Sequence, residues 1–145
     1  MGQRMGRGFL AAALGVAALS CQGKGTASSA AGGVRWVQDL PGALAKASVE
    51  DKVVMVDFYT DWCHWCRKLD ETTFADAAVR RALDGLVAVK LDAERGGREA
   101  AVQYRVDAYP TLLFLDAKGS EVGRIPGYLP PQAFLEELKD ILGPS

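Results

Sequence analysis

Cys63 and Cys66 are separated only by His64 and Trp65. If this segment begins a helix, the two side chains lie within one turn, close enough for their sulfurs to bond without dragging the backbone. Such a pair can open and close a disulfide. As a structural staple it would be weak, because a loop with two intervening residues removes little entropy from the unfolded chain. The preceding run Val53-Val54-Met55-Val56-Asp57-Phe58-Tyr59 is apolar and partly β-branched, as expected of a strand covered on both faces. The order is therefore strand, short loop, helix N-terminus. Free backbone N–H groups and the dipole at a helix N-terminus favour an anion, and the reactive form of cysteine is the thiolate. This placement activates Cys63.

Other residues around the pair bear on that chemistry. His64 reads either as a cation stabilising the Cys63 thiolate or as an exposed loop residue, since its ordinary pKa lies near neutrality. Trp62 and Trp65 offer flat apolar surface around the sulfurs, or simply pack. Asp57 is the only charge in the apolar strand. Burying an unpaired carboxylate is costly, so it should reach water or take up a proton. Asp61 reads as a solvated loop charge.

The surrounding elements alternate. Trp36 and Val37 suit a short edge strand, and Asp39 before Pro41 has the cap and early-proline signature of a helix to about Ser48. After the cysteines a helix should run through Leu69, break near Thr72-Thr73 and resume at Asp76, burying Phe74, Ala78, Val79 and Leu83. Leu86 to Leu91 reads as a strand and Arg98 to Tyr104 as a helix, a succession that argues for parallel pairing. Thr111 to Leu115 and Glu121 to Ile125 are strands joined by a hairpin loop containing Gly119. Pro131 to Leu142 is an amphipathic helix with Phe134, Leu135, Leu138, Ile141 and Leu142 on one face.

Composition bounds the remaining possibilities. The 145 residues, 49% hydrophobic and 24% charged, suit one globular domain. The net charge is -1, and no basic footprint for nucleic acid is visible. Three cysteines and one histidine make a poor zinc site, since all four ligands would be needed, including the distant Cys21. Residues 1–20 carry Arg4 and Arg7, an apolar run from Phe9 to Leu19 and a small Ser20, the plan of a secretory leader. That run is well short of the roughly 20 residues a membrane-spanning helix needs. Ala18-Leu19-Ser20-Cys21 resembles the lipobox of bacterial lipoproteins, with Ala18 where leucine usually stands. Cys21 is then a lipidation site; under ordinary cleavage it is removed or left free. Residues 21–33, rich in Gly, Ala and Ser, read as a flexible tether, and residues 34–145 as the folded domain.

From about Val34 to Leu142 the chain resembles the thioredoxin superfamily. The segment Val56 to Cys66 matches that family's active-site segment, Tyr109-Pro110-Thr111 its cis-proline loop, and Gly127 the glycine before its last helix. Within the superfamily, Glu71-Thr72-Thr73-Phe74 and the broken helix look most like the C-terminal domain of the envelope reductant carrier DsbD and its lipoprotein relatives. The resemblance implies an α/β thioredoxin fold, a mixed central sheet flanked by helices. It also implies Cys63 as the exposed nucleophile, Cys66 as the buried resolving thiol, and Asp57 as acid or base for that thiol. Lys90 matches a lysine often found near the carboxylate, with an ordinary ion-pair role as the alternative. Tyr109, Pro110, Thr111 and Gly127 would shape a backbone edge for an extended substrate segment. The implied activity is thiol–disulfide exchange with other envelope proteins, needing no cofactor or metal. The implied protein is a monomer at the periplasmic face of a bacterial membrane, or in the soluble periplasm without the lipid, drawing electrons from a separate membrane donor. A disulfide oxidase or isomerase, and a non-enzymatic module binding a partner or copper, are the alternatives.

Overall fold

The computed structural model describes residues 32–143; the leader, Cys21 and most of the tether lie outside the described residues. Helix α1 (Leu40–Glu50) leads to strand β1 (Val54–Tyr59), and α2 (His64–Lys68) follows. It runs on through a π-helical turn, Leu69–Thr73, before α3 (Ala77–Leu83). Then come β2 (Val87–Asp92), α4 (Arg98–Gln103), β3 (Thr111–Leu115), β4 (Glu121–Pro126) and α5 (Pro131–Leu142). The strands form one mixed sheet in the order β2-β1-β3-β4. β1 pairs with β2 in parallel and with β3 antiparallel, so the strand leading to the cysteines is central. A thioredoxin-type sheet flanked by helices, as the family resemblance implies, is the fold observed.

Because side chains alternate across a strand, β1 serves two cores. Val54, Val56 and Phe58 meet Ala43 and Ala47 of α1 and Ala101 of α4 on one face. Met55 faces the other way, toward Leu69, Phe74, Val79, Leu83, Phe134 and Leu138. Asp57 shares that second face by the same alternation, opposite Lys90 on β2 and Leu112 on β3. The apolar run is therefore buried on both sides, with one carboxylate embedded in it.

Several boundaries differ from expectation for local reasons. The edge strand at Trp36-Val37 shrinks to a single bridge, Val37 to Val89; Val37 N–H donates to Ala88 and its carbonyl accepts from Lys90 N–H. Asp39 precedes α1 without capping it through its side chain. Ala78 is only partly buried. The cysteine helix passes into a π-helical turn, closed by Phe74 N–H donating to Leu69 carbonyl at 3.0 Å, and the expected break follows it at Phe74-Ala75. Asp76 then caps α3, its Oδ1 accepting from Ala78 and Val79 N–H at 2.8 and 3.0 Å. In the hairpin Gly119 takes φ +81, a left-handed conformation that glycine adopts without strain.

Asp76→Ala removes the acceptor for two otherwise orphaned helix N–H groups. Urea unfolding should show a loss of about 1 kcal/mol, typical of an N-cap, with an unchanged dependence on urea concentration.

Candidate active site

The sheet delivers both cysteines to one turn. β1 ends at Tyr59, Cys63 N–H donates to Thr60 carbonyl at 3.2 Å, and Cys63 becomes the N-cap of α2 with extended dihedrals. Its Sγ accepts the Cys66 N–H at 3.1 Å, a hydrogen bond that would favour a thiolate at that sulfur. The two residues form a disulfide across a Cα–Cα separation of 5.3 Å. Cys63 is 5% and Cys66 4% exposed. The contrast between an open and a covered cysteine that the resemblance implies is therefore absent in this oxidised form.

Behind the turn lies an ion triad. Asp57 is 1% exposed, and its Oδ2 accepts from Lys90 Nζ at 2.6 Å. The same ammonium donates to Asp70 Oδ1 at 2.7 Å. Asp57 thus neither reaches water nor stands alone; its compensation is a lysine delivered by the β1–β2 register. Its other oxygen, Oδ1, has no hydrogen-bond partner. Burial pushes the Asp57 carboxyl up to about 6 despite the opposing pull of Lys90. Burial alone would pull Lys90 down, but Asp57 and Asp70 outweigh it and hold the lysine above its ordinary value. Three rings surround Nζ, with centroids of Trp36 and Tyr59 at 5.0 Å and of Phe74 at 5.7 Å, in the range of cation–π attraction.

Aromatic surface flanks the cysteines. Trp62 is 65% and Trp65 50% exposed, too open for packing alone to explain them. Trp62 meets the edge of Tyr109 and donates from its indole to Glu94 at 3.0 Å. Trp65 stacks on Tyr128, and Lys68 lies over both rings. His64 is exposed and edge-on to Trp65. Asp61 is exposed, as expected, but pairs with Arg95.

The Tyr109-Pro110 bond is cis. Pro110 immediately precedes β3, whose Thr111 pairs with Phe58, so this loop sits at the sheet end from which the cysteine turn departs. Gly127, at φ +80, donates its N–H to Pro110 carbonyl at 2.7 Å. The buried Thr111 hydroxyl donates to Ala108 carbonyl at 2.8 Å. Thr111 and Gly127 are thus committed to holding the loop, while Tyr109 is the partly exposed member. The π-helical turn ties in from the other side: Thr73 hydroxyl donates to Leu129 carbonyl at 2.6 Å, and Thr72 shares a hydrogen bond with Tyr128 hydroxyl.

Comparison with known proteins agrees with this geometry. Residues 40–142 match the family model for a thioredoxin-like domain. The thiol:disulfide interchange protein DsbD of Cronobacter sakazakii is 38% identical over 111 residues, 73% of this chain and 19% of that protein. Its counterpart in Pseudoalteromonas atlantica is 34% identical over 114 residues, 75% of this chain and 19% of that protein. The chain spans about a fifth of the length of these curated relatives. Among solved structures, a thioredoxin from Thermus thermophilus superposes with a TM-score of 0.69 at 34% identity, covering 77% of this chain and 88% of that one. A putative disulphide-isomerase from Bacteroides thetaiotaomicron gives 0.66 at 36% identity, covering 77% and 93%. A mixed sheet whose central strand runs into a bonded cysteine pair defines the class of thioredoxin-fold thiol–disulfide oxidoreductases. The chain belongs to the thioredoxin-like domain family, with DsbD proteins among its relatives.

Asp70 and Tyr128 are the residues of this site that sequence reasoning missed. Asp70 lies four after Cys66, a helical spacing that places both on one face; that signal was available. Tyr128 follows the recognised Gly127 but has no pattern of its own.

Among the described residues no group of His, Cys, Asp and Glu is arranged to hold a metal ion.

Asp57 makes stability depend on pH in a definite sense. Burial holds its folded pKa at about 6, above the 3.8 of a solvated aspartate, so between these values the native state holds a proton that the unfolded chain has released. Its contribution to stability is full below pH 4 and is lost as pH rises toward and through 6, by at most about 1.4 kcal/mol per unit. Urea unfolding between pH 4 and 7 should show Asp57→Asn losing less stability than wild type over this window. Parallel curves for the two proteins would refute the assignment.

Proposed function

We propose that this protein is a thiol–disulfide oxidoreductase of the bacterial cell envelope that reduces or exchanges disulfides in partner proteins. The observation that carries the reading is the Cys63–Cys66 bond at the end of the central strand, with Cys63 Sγ already accepting a helix N–H. Cys63 thiolate attacks a partner disulfide, a mixed disulfide forms and one partner thiolate leaves. Cys66, deprotonated by Asp57, then attacks Cys63 Sγ; the internal disulfide closes and the second partner thiolate is released. Positioned proton transfer is the help such a buried thiol needs.

Trp62, Trp65, Tyr109 and Tyr128 supply the apolar surface on which a partner rests. Pro110 presents its loop as a backbone edge, which Thr111 and Gly127 keep in shape. His64 adds positive charge near Cys63 when protonated, and Lys90 keeps Asp57 in place. The relatives named for thiol:disulfide interchange support disulfide exchange as the activity. The leader and the lipobox-like Cys21 support export and a lipid anchor, with electrons supplied by a separate membrane donor. Among the described residues no helix is long and apolar enough to cross a membrane.

Trapping tests the division of labour. Cys66→Ser should accumulate mixed disulfides with envelope proteins and Cys63→Ser should not; equal accumulation by both variants would sink the assignment.

Fractionation tests the anchor. Diacyl and amine-linked chains together hold a protein firmly, since stable binding takes at least two such signals. Wild type should therefore sediment with membranes and Cys21→Ser should appear in the soluble envelope fraction. A soluble wild type whose N-terminus lies beyond Cys21 would rule out the lipid.

A further inference from the structure

The charges around the cysteine turn are unevenly answered. On the side of Trp62, Asp61 pairs with Arg95 and Glu94 accepts the indole N–H, while behind the turn Asp70 accepts from Lys90. On the side of Trp65, Lys68 is exposed, and among the described residues its ammonium pairs with no carboxylate, Glu71 three residues on included. Its Nζ lies instead 5.5 Å from the ring centroids of both Trp65 and Tyr128, which are stacked on each other. An ammonium has three N–H donors, so those of Lys68 are available to an incoming acceptor. The backbone is fixed at the same place: the Lys68 carbonyl accepts the Thr72 hydroxyl at 2.7 Å, and that hydroxyl lies 3.2 Å from the Tyr128 hydroxyl. Cations at a helix end ordinarily answer the helix dipole. Here the helix runs on into the π-helical turn, so Lys68 stands midway along it. Its neighbours are exposed too, but Arg67 turns to the Asp61 carbonyl at 3.2 Å and His64 lies edge-on to Trp65.

The position of this cation says what it meets. Tyr128 follows Gly127, whose N–H holds the Pro110 carbonyl, so Lys68 stands between the cysteine helix and the segment that supports the cis-proline loop. A partner whose disulfide is attacked by Cys63 passes along that rim. By covering the two rings it removes water from around the ammonium, which strengthens the attraction of any anion placed there. Lys68 lies five residues beyond Cys63, about 7.5 Å along a helix that rises 1.5 Å per residue. An extended chain, at about 3.3 Å per residue, spans that length in two or three residues. We propose that Lys68 is a specificity-determining residue of the exchange described above, on which this inference rests, and that it selects partner disulfides with an Asp or Glu two or three residues from the attacked cysteine.

The test uses symmetrical disulfides of a blocked, otherwise uncharged peptide, with Asp, Asn or Lys placed two residues before or two residues after the cysteine. A further probe carries its Asp six residues away. Reduced full-length protein is mixed with each probe, the protein dithiol becoming a disulfide as the probe becomes two thiols, and the second-order rate is read from thiol release. Wild type should reduce the better-placed Asp probe about fivefold faster than its Lys counterpart, the upper end of what an exposed ion pair gives. The distant Asp should bring no advantage, and 1 M salt, where the screening length falls to about 3 Å, should erase the difference. Lys68→Gln should bring the ratio near one and Lys68→Glu should invert it. Lys46→Gln, which removes the same charge from α1 on the opposite face of the sheet, should leave it as in wild type. Thermal melts confirm that each variant is folded. A wild-type ratio of one, or a preference that survives Lys68→Glu, would overturn the proposal and leave exchange by the cysteine pair standing. A ratio of one together with binding of wild type, but not of Lys68→Gln, to phosphatidylglycerol vesicles would overturn it in favour of a lipid surface. Failure to reduce any probe would overturn the exchange itself.

Discussion

A carboxylate withdrawn from water in the middle of a sheet is the constraint around which this molecule is arranged. Asp57 sits on a strand buried on both faces, where an uncompensated charge would cost several kcal/mol. One ammonium answers it. Lys90 arrives because β1 and β2 pair in a register that sets the two residues side by side, so a single-residue slip would turn the lysine to the other face. The lysine is itself held by three rings and by a backbone hydrogen bond to Val37. Compensation of the charge thus involves the N-terminal segment, two strands and the π-helical turn together.

That turn links the two halves of the site. By accommodating an extra residue in the helix after Cys66, it carries Asp70 to Lys90 and sends Thr72 and Thr73 to the segment before α5. Gly127 at the start of that segment holds the cis-proline loop. A continuous set of hydrogen bonds therefore runs from the cysteine helix around to the loop beside it. π-helical turns of this kind are frequent at functional sites, and here the reason is geometric.

Much of this was legible in the sequence. The central strand, the cysteine pair and the terminal helix follow from an apolar run, a two-residue spacing and a helical period, all local signals. The family resemblance supplied what local signals do not, namely the cis bond at Pro110 and the relation of Asp57 to Lys90. The π-helical turn was visible only as an interruption near Thr72, because the sequence marks where a regular helix fails and not how its hydrogen bonds regroup. Water or a proton were the outlets foreseen for Asp57; burial does raise its affinity for a proton, and a cross-strand lysine supplies a compensation that local signals did not show. Register is a long-range property, and the alternation of apolar residues in β2 does not announce which partner Lys90 will face.

The two outer strands bear on how the molecule keeps apart from other chains. Parallel bridging by Val37 occupies part of the free side of β2. At the opposite margin β4 carries Glu121 and Arg124, ends in Pro126, and meets β3 through an irregular register. Charges, proline and irregular pairing are what keep exposed strand edges from templating other chains. The sides of the molecule are thereby guarded against pairing with other chains, which leaves the cysteine end as the face where contact can be made and undone.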